Sequence, residues 1–149
     1  MKLESARFVD KGAIPSEYTC DGRNIHPPLQ WSDVPNNVKS FALIVDDPDA
    51  PSGTWIHWTI WNIDPSTREI PEAQVPNGAS EGITGFGTPG YGGPCPPSGV
   101  HRYFFRLSAL DIRLNLSHNA SAQELREAIK EHQLAIAELV GTYQRRVIL

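Results

Sequence analysis

All thirteen prolines and all but one of the twelve glycines of this 149-residue chain fall within its first hundred positions. Proline removes a helix hydrogen bond and clashes with the preceding turn, and glycine weakens a helix, so this spacing leaves no room for long helices there. Between the breakers lie short runs rich in Val, Ile, Thr and aromatic residues, at 6–9, 29–31, 40–45, 55–63 and 101–110. Such runs read as strands joined by turns. The texture changes at "SHNASAQELREAIKEH", where Ser121 and Glu124 form a capping box. Leu125, Ala128, Ile129 and His132 follow at helical spacing, so a helix starts there. Gly141 reads as the stop of a second short helical piece, and 142–148 as a last strand. There is no internal repeat, linker or low-complexity segment. The expectation is one mainly β domain over 1–149, an antiparallel sandwich with a short helical segment near the C-terminus.

The net charge of −4, with no run of basic residues, gives no footprint for a phosphate backbone or an anionic membrane. Nucleic acid is therefore not an expected partner. The N-terminus "MKLESARFVDKGAIP" lacks the apolar stretch of a signal peptide, and no apolar run approaches the length of a membrane span. The expected location is the cytoplasm, without integral membrane association. In that reducing compartment Cys20 and Cys95, the only cysteines, are expected as free thiols, although both sit in turn-rich segments where a bridge stays open.

The stretch "DDPDAPSG" at 46–53 follows directly on the apolar run "SFALIV". Alternation along a strand puts Phe41, Leu43, Val45 and Asp47 on one face, so Asp47 continues a core stripe past the strand end. In "TWIHWTIWNI" it groups Trp55, His57, Thr59, Trp61 and Ile63 against Ile56, Trp58 and Ile60. In "VHRYFFRLSAL" it groups His101, Tyr103, Phe105, Leu107 and Ala109 against Arg102, Phe104 and Arg106. A single histidine on an apolar face is more often a core residue, and aspartate after a strand commonly caps its own turn. Together, however, three strand ends deliver Asp47, Asp49, His57, His101 and Tyr103. The loop "TPGYGGPCPPSG" before His101 is rich enough in glycine to bring bare N–H groups near a ligand.

"DPDAP" followed closely by "WIHW", and then "GPCPPSGVHRYFF", resembles the phosphatidylethanolamine-binding protein family, which includes Raf kinase inhibitor protein. "YTCDGRNIHPPLQW" and "LVGTYQRR" extend the resemblance over nearly the whole chain, in the short form typical of bacteria and archaea. The resemblance implies a Greek-key β-sandwich around a small pocket for phosphate or a phosphorylethanolamine headgroup. By position, that pocket would use Asp47, Asp49, His57, Gly93, His101 and Tyr103, with Ala50–Pro51 as a cis peptide. Two departures stand out. Only "SGT" separates the aspartate turn from Trp55, where vertebrate-type members carry a longer aromatic segment, and the C-terminal helix that partly covers the site in those proteins has no counterpart. A more open pocket mouth is expected.

The expected activity is non-catalytic binding of a small anion or phosphorylated headgroup, without a cofactor. Presentation of that surface would regulate a kinase or inhibit a serine protease. His57, His101 and Tyr103 would supply hydrogen-bond donors, while the aspartates orient the histidines or accept from a ligand ammonium. Affinity should then fall as pH rises through the histidine titration. Two alternatives remain: a hydrolase using Asp and His as acid and base or Cys95 as nucleophile, and a metal protein with two His and two Asp around zinc. The missing C-terminal cover, together with the resemblance, implies a homodimer.

Overall fold

The computed structural model describes residues 1–145. Its strands are β1 (Lys2–Glu4), β2 (Gly12–Ala13), β3 (Leu29–Ser32), β4 (Ser40–Asp47), β5 (Trp55–Ile63), β6 (Glu69–Ile70), β7 (Ser80–Glu81), β8 (His101–Leu110) and β9 (Gln133–Tyr143), with one helix, α1 (Ala122–Lys130), before β9. A small sheet, ordered β1-β3-β6, faces a six-stranded sheet ordered β2-β9-β8-β4-β5-β7. All pairings are antiparallel except β2 with β9, which makes the large sheet mixed. The fold is thus mainly β with a single helix near the C-terminus, as expected from the sequence.

The main core lies between the two sheets. Leu3, Leu29, Trp31 and Ile70 of the small sheet meet Phe41, Leu43, Val45, Phe105 and Leu107 of the large one. On the opposite face of the large sheet, Leu125 and Ile129 of α1 pack on Ala42, Ile44, Trp61 and Leu110. The central strand β4 is buried along its whole length because both of its faces are covered. The capping box forms as the sequence predicts: the Ser121 hydroxyl accepts from the Glu124 N–H, and the Glu124 side chain accepts from the Ser121 N–H.

Three expectations need correction. Residues 6–9 form bends and turns rather than a strand; the apolar signal there comes from Phe8, which enters the core from a turn and packs on Phe105 at 5.8 Å between ring centroids. The helical piece expected before Gly141 is strand β9. Its Ala, Glu and Leu content suits a helix, but Ala137, Leu139 and Gly141 are buried at a period of two, and pairing with β8 along ten residue pairs outweighs propensity. The last strand, expected over 142–148, is therefore the end of β9 at Tyr143, and residues 146–149 lie outside the described residues.

Candidate functional site

Two adjacent aspartates end β4 on opposite faces of the sheet. Asp46 turns toward the helix side, where its carboxylate accepts from Arg106 and Arg126, each at 2.6 Å. Asp47 follows Val45 on the core side and accepts from His101 Nδ1 at 2.6 Å. Its other oxygen accepts the Asp49 N–H at 2.7 Å, an Asx turn that starts the reversal into β5. Gly53, at φ 112°, completes that reversal in a conformation other residues avoid. The Ala50–Pro51 peptide is not cis; there is no cis peptide bond among the described residues, so the turn closes through the Asx bond and Gly53.

His57 shares its side with Trp55, as alternation from the turn predicts, since Trp55 pairs with Asp47 and Ile56 with Asp46. Val45 pairs with Trp58 and Asp46 with Ile56, leaving His57 as the extra residue of a β-bulge. The bulge lets His57 and Trp58 both point to the core side. A second irregularity between the pairs Phe41–Ile63 and Leu43–Ile60 places Trp61 with the helix-side cluster and Ile63 with the main core. The expected grouping of β5 by alternation is thus corrected: Thr59 pairs with Ile44 and Trp61 packs under α1, away from His57.

Asp47, His57, His101 and Tyr103 line one cavity of about 230 Å³. The Tyr103 ring lies 5.2 Å from His57 and 6.5 Å from His101, between the two histidines. His57 is 4 % exposed and donates from Nδ1 to the Gly92 carbonyl at 2.7 Å. Burial lowers its pKa below the ordinary value, with the Gly92 carbonyl and the Asp47 charge opposing. At neutral pH the ring is therefore uncharged, and its Nε2 carries a lone pair. His101 has the complementary arrangement: Nδ1 faces a carboxylate, and Nε2 remains for a ligand. The Tyr103 hydroxyl is buried and has no hydrogen-bond partner among the described residues. Burial and the charges of Asp47 and Asp49 push its pKa well up, so it stays a donor.

Asp49 and Gly93 stand apart from this group. Asp49 accepts from the Arg102 backbone N–H and from Nε and Nη2 of its guanidinium at 2.8–2.9 Å, and Arg102 lowers its pKa to about 2. That carboxylate is committed to its own ion pair beside the cavity. Gly93 donates its N–H to Asn24 Oδ1 at 2.8 Å, and a Cβ there would collide with the Tyr18 carbonyl oxygen. Its role in this arrangement is close packing of two loops.

The same packing joins the cysteines. Cys20 donates its N–H to the Pro94 carbonyl at 3.1 Å, the two Cα atoms lie 5.5 Å apart, and Cys20–Cys95 is a disulfide. The expected free thiols are corrected: the segments around 20 and 95 are laid side by side by Gly93–Asn24 and by Tyr91 Oη donating to the Tyr18 carbonyl at 2.6 Å. With its sulfur bonded, Cys95 is no free nucleophile.

Sequence reasoning missed the apolar wall. Trp55 and Phe86 meet edge to face at 5.5 Å on the cavity lining, with Pro51, Pro96 and Pro97 completing it. Trp55 pairs with Asp47 across β4 and β5, and that register would have flagged it. Phe86 sits in a loop whose approach to the site has no local sequence signal. Among the described residues no three His, Cys, Asp or Glu side chains converge as a metal site requires. No helix among them is long and apolar enough to cross a membrane.

Residues 4–144 match the family model "Phosphatidylethanolamine-binding protein". A "UPF0098 protein" of Methanothermobacter thermautotrophicus is 53% identical, covering 97% of this chain and 99% of the relative. One from Aquifex aeolicus is 44% identical over 97% of this chain and 89% of its own length. Among solved structures, a phosphatidylethanolamine-binding protein homologue from Chlamydia trachomatis superposes with a TM-score of 0.93 at 41% identity, covering 97% of both chains. YbcL of Escherichia coli, described as a member of the mammalian family, superposes with a TM-score of 0.92 at 32% identity over 97% of this chain and 98% of its own.

Proposed function

Because the chain belongs to the phosphatidylethanolamine-binding protein family, we propose that its cavity binds a small phosphorylated group without turning it over. The observation that carries this reading is the buried, unpartnered Tyr103 hydroxyl, on a ring that packs against both His57 and His101 in the cavity lining. Leaving such a donor unpaired costs about 1–3 kcal/mol, which a ligand oxygen would recover. His101 Nε2 and Tyr103 Oη act as donors, and neutral His57 Nε2 as an acceptor. That pattern suits a monoprotonated phosphate monoester, whose P–OH donates to His57 while its other oxygens accept. Asp47 acts through His101, holding the ring by its contact with Nδ1. Asp49 is held by Arg102, so a ligand ammonium would rest against the Trp55 and Phe86 wall by cation–π attraction rather than on a free carboxylate.

Calorimetric titration with phosphorylethanolamine of the wild type and Tyr103→Phe tests this. The variant should bind more weakly by about 0.5–1.5 kcal/mol, the net worth of a hydrogen bond, while its unfolding free energy stays level or rises because an unpaired polar group is gone. Equal affinity of the two proteins would remove the proposal. Absence of turnover on a panel of phosphoesters and carboxylic esters tests the non-catalytic half. The proposal retains a cytoplasmic location and a homodimer. Exposed Phe86 and Val100 beside the cavity support contact with a protein partner, a kinase or serine protease, which a protease-inhibition panel with Phe86→Ala would examine.

A further inference from the structure

We infer that the Cys20–Cys95 bridge is a redox clasp, whose reduction by a dithiol loosens the Cys95–Pro96–Pro97 wall of the cavity and weakens ligand binding. The inference rests on the cavity being the ligand site. Cys95, Pro96 and Pro97 all line that cavity. Upstream, the chain is well held: the Gly92 N–H donates to the His57 carbonyl at 2.9 Å, Gly93 to Asn24, and the Pro94 carbonyl accepts from Cys20. Downstream it is not. Pro96 and Pro97 have no N–H to donate, and among the described residues no hydrogen bond ties 95–100 to the body before β8 begins at His101. Pro96 is buried, but the disulfide is the last bond that holds the segment leading into His101. Both cysteines are exposed, so a dissolved reductant reaches the sulfurs without unfolding the protein.

The chemistry is thiol–disulfide exchange. A thiolate of the dithiol attacks one sulfur of the bridge, the Cys20–Cys95 bond breaks, and the other sulfur leaves as a thiolate that takes up a proton. The second thiol of the reductant displaces the remaining protein sulfur and closes its own disulfide, so two electrons and two protons pass to the protein. The oxidised wall is already in place when a ligand arrives. In the reduced protein, residues 95–100 must be ordered on binding, and that cost appears as lost affinity.

Oxidised protein, protein reduced with dithiothreitol and the double variant Cys20→Ser/Cys95→Ser should be compared by amide hydrogen exchange and by calorimetric titration with phosphorylethanolamine. Exchange should accelerate at the Cys20 and Gly93 amides, which are bonded to Pro94 and Asn24 beside the bridge, by more than the amides of β8 and β9 lose with the lower global stability, and affinity should drop roughly tenfold, the scale of ordering one or two side chains and their loop. A bridge that resists dithiothreitol in the folded protein, or exchange and affinity unchanged by its loss, overturns the inference. So does acceleration at Cys20 and Gly93 no greater than that of β8 and β9, which would make the bridge a staple of the whole fold. If no form binds the probe, the proposed ligand site fails by itself, and the exchange pattern alone then decides whether the bridge holds this wall.

Discussion

His57 is an uncharged imidazole held inside the protein, and its depressed pKa makes stability depend on pH in a fixed direction. The unfolded chain binds a proton near the ordinary value of about 6.5, while the folded protein resists it. This contribution is fully present above that value and is lost as pH falls through it toward the lower folded value. Urea midpoints should therefore decline from pH 7 to pH 5, and His57→Gln should flatten the decline; an unchanged slope would contradict a buried neutral ring. Asp49 works lower on the scale. With its pKa held at about 2 by Arg102, its contribution is present above about 3.8 and disappears as pH falls toward 2, and Asp49→Asn should remove that dependence. Alternation in β4 and β8 was enough to place Asp47, His101 and Tyr103 together. His57 sits with Trp55 as alternation predicts, but the bulge that turns Trp58 to the same side and Thr59 and Trp61 away is set by pairing with β4, and a single strand carries no sign of its partner's register.

The elements that build the cavity differ in how visible they are from sequence. Strands β5 and β8 have the bounds that their breakers and apolar runs predict, because Gly and Pro bracket them on both sides or at the start. β9 was hidden, since its helix-favouring composition is overridden by the long pairing with β8, a contact between distant parts of the chain. The loop carrying Gly93 and Cys95 was legible as a turn-rich segment but not as one half of a loop pair, because its partner lies some seventy-five residues upstream. A bridge across that separation typically stabilises a domain by about 2–4 kcal/mol. Cys20→Ser/Cys95→Ser should lower the unfolding free energy by that order in urea titration. Gly93→Ala should cost about 1–3 kcal/mol through overpacking of its Cβ against the Tyr18 carbonyl and the Asn24 side chain, with no altered charge in the cavity. A fully stable Gly93→Ala protein would mean that the two loops separate easily.

At the scale of the molecule, the large sheet leaves an edge. β9 is flanked by β8 along its length, but among the described residues its other side is held only at Val140, Gly141 and Thr142, by the segment from Asp10 to Ile14, and Leu134 and Ile136 stand 41% and 51% exposed. An unpaired strand with apolar side chains is a ready site for a second copy, which supports the proposed homodimer. Light scattering at micromolar concentration should give twice the chain mass, and Ile136→Lys should shift it toward the monomer; a monomeric wild type would count against the pairing. The two-sheet architecture and its helix were legible because breakers, periodicity and the capping box are local signals. The edge, the ion pairs of Asp46 and the closing of the cavity by Phe86 depend on contacts that only the folded chain creates. Recognition of a phosphate group by His101, Tyr103 and neutral His57, as proposed, is read by calorimetric titration of phosphorylethanolamine across a pH series. Raising the pH through the second phosphate ionisation at about 6 removes the P–OH that donates to His57 and so weakens binding. Affinity should fall steadily as pH rises, and a His101→Ala protein should fold normally yet bind about 1.5–3 kcal/mol more weakly; affinity that is flat with pH and survives His101→Ala would contradict recognition at this site.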